Sequence, residues 1–129
     1  MGYDMMQNEY SAAADKMVMY AEIARLEGIL ALEDYLNIEQ DEFISEGLRL
    51  LLIGSSAKQI KKTLGGLANK GNLPSSRLFY KLIIRACAHI AQGQNPKIVE
   101  RDLNAMIEAE EERGNIFVEL WRVFLGIFN

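Results

Sequence analysis

Proline is nearly absent from this chain, and that absence constrains its fold more than any other feature. Only Pro74 and Pro96 occur in 129 residues, so long stretches of backbone are free to form uninterrupted helices. No useful length of sequence alternates polar and apolar residues as a half-buried strand would. The sequence therefore predicts an all-α fold, a compact helical bundle of about five helices.

The first of these helices is expected to be long. Residues 4–37 contain no proline and a single glycine, Gly28. A helical stripe of apolar residues with spacings of three and four is formed by Met19, Ile23, Leu26 and Leu30. A glycine inside a helix costs about 1 kcal/mol relative to alanine. We therefore expect compensation at Gly28, either a close approach of another helix or a local bend.

Capping residues divide the rest of the first half into two further helices. Asp41 is expected to cap the second helix and Gly54 to end it. Ser55 or Ser56 is expected to cap the third, because a serine hydroxyl accepts a hydrogen bond from the first turn. Structural roles at these positions follow from their local chemistry alone.

A linker and two more helices are expected in the second half. Glycine, asparagine and proline mark residues 68–76 as the linker. Ser75 or Ser76 is expected to open the next helix and Gly93 to end it. Asn95 and Pro96 then begin the last helix, since the missing N–H of a proline costs nothing at the first helical position.

The sequence also carries a weak internal echo at a spacing of 39 residues. The matching positions are Gly54 and Gly93, Ile60 and Val99, and Leu64 and Leu103. Each copy has a glycine stop followed by a capped helix with an apolar face. Helical hairpins commonly share such helix-ending glycines and helix caps, and two copies would be too few for a solenoid.

Charge and composition limit the compartment and the partners. The net charge is −4, which gives no electrostatic case for nucleic acid or an anionic membrane surface. The single Cys87 excludes an internal disulfide and is typical of a reducing compartment. The apolar stretch 116–128 is shorter than the roughly 20 residues of a membrane span and contains Glu119 and Arg122. We expect a cytoplasmic protein without a transmembrane span of its own.

Catalytic chemistry is not predicted. His89 and Cys87 stand two residues apart, so on a helix they point to different faces and form no nucleophilic pair. An acidic run comprises Glu108, Glu110, Glu111 and Glu112. It lacks the Glu-x-x-His pattern of helical metal sites, and a solvated helix face is expected. The sequence predicts no enzyme, no catalytic or metal-binding residue and no cofactor.

Two segments carry a resemblance to a known family. The segment AEIARLEGILALE, residues 21–33, resembles the signature that follows the second transmembrane helix in the MotA family of flagellar stator subunits. That signature is approximately A-x-x-A-R-x-E-G-[LI]-L-A-L-E, and every fixed position is matched. The segment 47–54, GLRLLLIG, is similar to the L-R-L…G element of the same family.

The second half is similar to the cytoplasmic tail that follows the fourth transmembrane helix in that family. Residues 82–84 and 90–100 match its pattern, while Arg85, Ala86 and His89 depart from it. Transmembrane helices separate the two regions in the family, and here only the linker does. The resemblance implies a single helical domain, residues 1–129, made of a cytoplasmic-loop-like part (1–67), the linker (68–76), a C-terminal-tail-like part (77–107) and an aromatic C-terminal helix (108–129).

The resemblance implies a partner and a surface. Arg25 and Glu33 would correspond to the charged pair through which a stator meets the rotor switch protein, with Glu22 and Arg49 as further charged contacts. On one continuous helix, Arg25 and Glu33 would lie about two turns, or roughly 12 Å, apart. Other stator subunits are further possible partners. The alternatives are a solvated helix face, and a soluble helical scaffold or regulator of this fold without motor contact.

The last stretch of the chain carries an aromatic stripe with spacings of four, three and four residues. Its members are Phe117, Trp121, Phe124 and Phe128. Such a stripe is expected to belong to the core. It would otherwise cover surface that the absent transmembrane helices touch in the family, or pair two subunits.

Overall fold

The computed structural model describes residues 2–70 and 76–127, and every regular element within these ranges is helical. The elements are α1 (Gly2–Glu27), a 3-10 turn (Ile29–Ala31), α2 (Leu32–Leu36), α3 (Glu42–Leu52), α4 (Ala57–Asn69), α5 (Arg77–Ala91) and α6 (Pro96–Ile127). The all-α prediction is confirmed. The described ranges hold six α-helices where about five were predicted, because the expected first helix is divided at Gly28.

Helix α5 forms the centre of the bundle. It packs against α1, α3, α4 and α6, and its side chains Leu82, Ile83, Ala86 and Cys87 are fully buried. Helix α1 also packs along α6. Because α5 touches four neighbours, eight of its fifteen residues are buried.

The buried face of α1 differs from the predicted stripe. Its buried members are Tyr10, Ala13, Ala14, Met17, Val18, Tyr20 and Ala21. Met19, Leu26 and Leu30 are exposed instead, and Ile23 is only partly buried. The core side of this helix therefore combines three alanines with the larger Met17, Tyr10 and Tyr20, and it packs against α5 and α6.

Gly28 ends α1. Its backbone has φ 93° and ψ 157°, a conformation that is available essentially to glycine alone. No atom lies within 4 Å of the position that a Cβ would occupy. Of the two expected compensations, the local bend is therefore confirmed and the close helix approach is wrong.

Gly54 ends α3 and Gly93 ends α5, and the two helix ends resemble each other. Both have positive φ, 82° and 70°. The amide of Ser55 donates to the carbonyl of Leu50, and the amide of Gln94 donates to the carbonyl of His89, each at 3.0 Å. These bonds define the Schellman motif. The predicted glycine stops are confirmed, and the 39-residue echo corresponds to two turns of equal geometry.

The helix starts also follow the capping chemistry. Asp41 accepts a hydrogen bond from the Ile44 amide at 2.9 Å, and Ser76 accepts one from the Phe79 amide at 3.3 Å. Ser56, rather than Ser55, caps α4 and forms a reciprocal capping box with Gln59. Asn95 Oδ1 accepts from the Lys97 amide at 2.9 Å, and Pro96 is the first residue of α6 as expected.

The linker is shorter on its first side than predicted. Helix α4 continues through Gly65 and Gly66 to Asn69, so it includes the first two residues of the range 68–76. Residues 71–75, with Ser75 among them, lie outside the described residues. The glycines in this helix meet no neighbouring atom within 4 Å, so no close packing explains them.

Helix α6 has two parts with opposite surroundings. Val99, Leu103 and Ile107 are buried in the bundle, whereas every residue from 115 to 126 is exposed. Phe117, Trp121 and Phe124 belong to this exposed part, and Phe128 lies outside the described residues. The prediction that the aromatic stripe forms core is therefore wrong for its three described members, because about half or more of each side chain is exposed.

Candidate functional site

The residues of the expected partner surface lie where α1 gives way to α2. We call Arg25, Leu26, Gly28, Leu30 and Glu33 the α1–α2 corner. Leu26 is 84% and Leu30 75% exposed, so both large apolar side chains of the corner lie in solvent. Arg25 and Glu33 are exposed on either side of them. Exposed leucines between opposite charges offer a protein partner both apolar area and charge.

Arg25 is held in place by the turn between α5 and α6. Its Nη1 donates to the carbonyl oxygen of Gly93 at 3.2 Å. A cation is favourable at this point, because the last carbonyls of a helix carry partial negative charge. The guanidinium remains exposed, so it keeps further donors for a partner.

Arg25 and Glu33 do not share one helix. Arg25 lies in the last turn of α1 and Glu33 in the first turn of α2, and Gly28 and the 3-10 turn separate them. The predicted spacing of two turns along a continuous helix is therefore wrong. The bend at Gly28 instead sets the relative direction of the two charges.

The two other predicted contacts surround this corner. Glu22 is exposed on α1, one turn before Arg25. Arg49 is exposed in the last turn of α3 and forms an ion pair with Glu46 at 3.2 Å. Both α2 and the 3-10 turn pack against α3, so the helix of Arg49 is a direct neighbour of the corner.

A buried carboxylate, which the sequence did not predict, holds α2 and its following loop against α1. The side chain of Glu39 is only 1% exposed. It accepts hydrogen bonds from the Tyr20 hydroxyl, from Lys16 Nζ at 3.2 Å and from the Asp41 amide at 3.0 Å. The Tyr20 ring also meets the Tyr35 ring of α2 edge to face. This cluster fixes the position of α2, and with it Glu33.

The electrostatics of this cluster follow from its burial and its hydrogen bonds. Burial acts to raise the pKa of the Glu39 carboxyl, but hydrogen bonds from Tyr20, the Asp41 amide and Lys16 outweigh it and lower that pKa below its usual range. Burial, with the adjacent Glu39 carboxylate, raises the pKa of Tyr20. Tyr20 is therefore a neutral donor and Glu39 a charged acceptor at neutral pH.

A second unpredicted cluster joins α5 to α6. His89 Nε2 lies 2.7 Å from Asp102 Oδ2, and Arg85 Nε lies 3.5 Å from the same oxygen. The other ring nitrogen of His89, Nδ1, is buried and has no hydrogen-bond partner. Burial raises the pKa of the nearby Cys87 thiol to about 12, so that sulfur is no nucleophile. The arrangement is a cross-link between two helices.

An open groove of about 820 Å³ lies between α3 and α4. Its lining consists of Glu42, Phe43, Glu46, Lys62, Thr63, Gly66, Leu67 and Lys70. This lining combines the carboxylates of α3, the ammonium groups of Lys62 and Lys70, and apolar side chains. None of the predicted partner-contact residues belongs to it, so it is separate from the α1–α2 corner.

Comparisons with known proteins add no support to the resemblance, which rests on the sequence motifs alone. No protein-family model, no curated protein and no solved structure matches the chain. Within the described residues, no helix is long and apolar enough to cross a membrane. The same ranges contain no group of three or more histidine, cysteine, aspartate or glutamate side chains arranged to hold a metal ion.

Proposed function

We propose that this chain is a non-enzymatic, stator-like cytoplasmic module of the bacterial flagellar motor that contacts the rotor switch protein through the α1–α2 corner. The observation that carries the proposal is the exposure of Leu26 and Leu30 between the exposed charges of Arg25 and Glu33. These residues fall inside the segment that resembles the MotA signature. Other stator subunits are further partners that this class implies.

The chemistry of the corner suits a contact that forms and breaks repeatedly. Exposed charges at the rim of an interface mainly set the association rate and the register of the partner. The two leucines supply a small apolar area whose burial adds affinity. Arg25 is positioned by the Gly93 carbonyl and Glu33 by the packing of α2, so less ordering is needed on binding.

A binding titration against the C-terminal domain of the rotor switch protein from the same organism tests this proposal. It compares the unmodified chain with Arg25→Glu and Glu33→Lys at low and at physiological salt. We expect measurable binding that weakens with salt and that weakens at least about tenfold on either reversal. A Leu26→Ser variant is expected to weaken binding without changing the salt dependence, because it removes apolar area only.

Matched charge reversals elsewhere serve as controls. Lys61→Glu on α4 and Glu100→Lys on α6 change the net charge by the same amounts at exposed positions away from the corner. Equal weakening by these controls would indicate a non-specific charge effect. Absence of binding at high micromolar concentration, with helicity intact by circular dichroism, would reject motor contact and leave a soluble helical scaffold or regulator as the function.

A further inference from the structure

The exposed end of α6 is a second unusual surface, separate from the corner. We call residues 115–126 the α6 tail. Its polar residues and its one glycine share a single stripe: Asn115, Glu119, Arg122 and Gly126. All the other tail residues are large and apolar: Ile116, Phe117, Val118, Leu120, Trp121, Val123, Phe124 and Leu125. A helix that is apolar around most of its circumference is normally buried.

The apolar surface of the α6 tail is larger than the largest apolar patch of a typical monomer. Its apolar side chains are each about half exposed or more, which amounts to on the order of 800 Å² of apolar surface. The largest apolar patch of a typical monomer covers roughly 300–600 Å². A stable dimer of ordinary size buries about 800 Å² on each partner. Because these apolar residues surround most of the helix, one partner helix covers roughly half of this area on each copy, which makes a small interface that dissociates on dilution.

Charge selects a second copy of the chain over a lipid surface. Glu119 and Arg122 pair with each other at 3.7 Å, so the tail has no net charge to repel its own copy. Directly before it, Glu108 and the glutamates at 110–112 make the helix acidic, which an anionic bilayer would repel. A parallel pair would bring two such acidic runs together, whereas an antiparallel pair places them at opposite ends.

We propose that the α6 tail is a self-association surface, on which two copies of this chain pair with their tails antiparallel. Overlap of the apolar segment 116–125 on itself is greatest when the pair is centred between Leu120 and Trp121. Phe117 of one copy then lies beside Phe124 of the other. Residues on both sides are identical, as the twofold symmetry of a homodimer requires. The proposal does not depend on motor contact.

Sedimentation velocity over a range of concentrations tests it. The unmodified chain, 14.6 kDa as a monomer, is expected to reach twice that mass at micromolar concentration. A Phe117→Lys/Leu120→Lys variant is expected to dissociate at a concentration at least about tenfold higher, because it places charges at the centre of the interface. As a matched control, Ile38→Lys/Ile53→Lys changes two equally exposed residues and should leave the mass unchanged.

Disulfide trapping tests the direction of pairing. Mixed Phe117→Cys and Phe124→Cys chains are expected to form the 117–124 cross-link, while Phe117→Cys alone should not cross-link. Native Cys87 is buried and its thiol protonated, so it does not interfere. Efficient 117–117 cross-linking would overturn antiparallel pairing. A monomer at 100 µM with intact helicity, or a monomer that floats with neutral phosphatidylcholine vesicles, would overturn self-association.

Discussion

The two helical hairpins, α3–α4 and α5–α6, share a turn but differ in what holds them together. In both, a glycine with positive φ ends the first helix and a polar side chain caps the second. Buried apolar residues also correspond at the spacing of 39 residues: Ile60 with Val99, and Leu64 with Leu103. The second hairpin additionally carries the bridge from Asp102 to Arg85 and His89, which the first lacks because Thr63, Glu46 and Leu50 stand at the equivalent positions.

The comparison shows that local sequence determines the turns, whereas the rest of the bundle determines how each hairpin is packed. Caps and glycines determine the turns, because each acts on backbone groups within a few residues. The surroundings of each hairpin depend on distant elements: α5 covers the first, and α1 covers the second. Two turns of the same geometry can therefore belong to hairpins that pack differently. Substitutions at equivalent positions of the two hairpins measure how much each hairpin contributes to the free energy of unfolding.

The largest expected effects are those of Leu64→Ala and Leu103→Ala. Both leucines are fully buried at equivalent positions, so each change should leave a cavity and destabilise the protein by about 2–5 kcal/mol. Urea unfolding followed by circular dichroism measures both. A loss of less than about 1 kcal/mol at only one position would mean that its hairpin is not an integral part of the core.

The next largest loss of stability is expected for Gly47→Ala. Alanine normally stabilises a helix by about 1 kcal/mol over glycine, but a Cβ here would lie 2.7 Å from the buried Cys87 Sγ. We expect overpacking to prevail and unfolding free energy to fall by about 1–3 kcal/mol.

The double variant Gly47→Ala/Cys87→Ala checks the cause. Removing the sulfur should make the Gly47→Ala change neutral or stabilising in the Cys87→Ala background. At Ala86, the equivalent position in α5, the reverse change to glycine should cost about 1 kcal/mol in helix propensity and roughly as much again for the loss of a fully buried methyl group. An equal penalty for Gly47→Ala in both backgrounds would contradict the steric explanation.

Glu39 attaches α1 to the loop before the first hairpin, and acid should weaken that attachment. Because the folded state lowers the Glu39 pKa, its contribution is complete above the usual value of 4.5 and is lost as pH falls below it. Glu39→Gln should cost roughly 1–2 kcal/mol at pH 7 and flatten the fall in stability below about pH 4.5. Unfolding curves from pH 7 to pH 3, with exposed Glu100→Gln as control, measure this. If the unfolding free energy of Glu39→Gln fell with pH as steeply as that of the unmodified chain, Glu39 would not contribute to the loss of stability in acid.

The smallest expected effects are those of the caps. Ser56→Ala removes a reciprocal capping box, whereas Asn95→Ala removes a single side-chain acceptor. We expect losses of about 1 kcal/mol for Ser56 and somewhat less for Asn95. Thermal unfolding resolves the difference. A larger loss at Asn95 would show that the second turn depends more on its cap than the first does.

The sequence predicted the helices and their ends better than it predicted their faces. Asp41, Gly54 and Gly93 act as expected because their chemistry is local. The buried face of α1 was missed because three of its seven residues are alanines and two are tyrosines, which mark a core less clearly than the exposed Leu26 does. Nothing local distinguishes an apolar residue that is covered from one that is not.

The candidate site was predictable only in part. Arg25 and Glu33 were found by their place in a motif, and both are exposed. Their relative direction was not, because Gly28 permits both a straight helix and a bend. The Glu39 cluster joins residues 19 and 23 positions apart in sequence, and no short pattern indicates such a contact. In the sequence, Glu39 is only a polar residue in the break after α2, and this gives no indication of its partners.

The bend at Gly28 has a stereochemical consequence for the corner. Its φ and ψ of 93° and 157° lie in a region that L residues rarely adopt, whereas their mirror image borders the extended region that L residues adopt easily. A D-alanine introduced there by chemical synthesis would therefore be strained less than L-alanine. The direction of Glu33 relative to Arg25 thus depends on the absence of a chiral centre at one position. Every other genetically encoded residue would disturb it, whatever its size or charge.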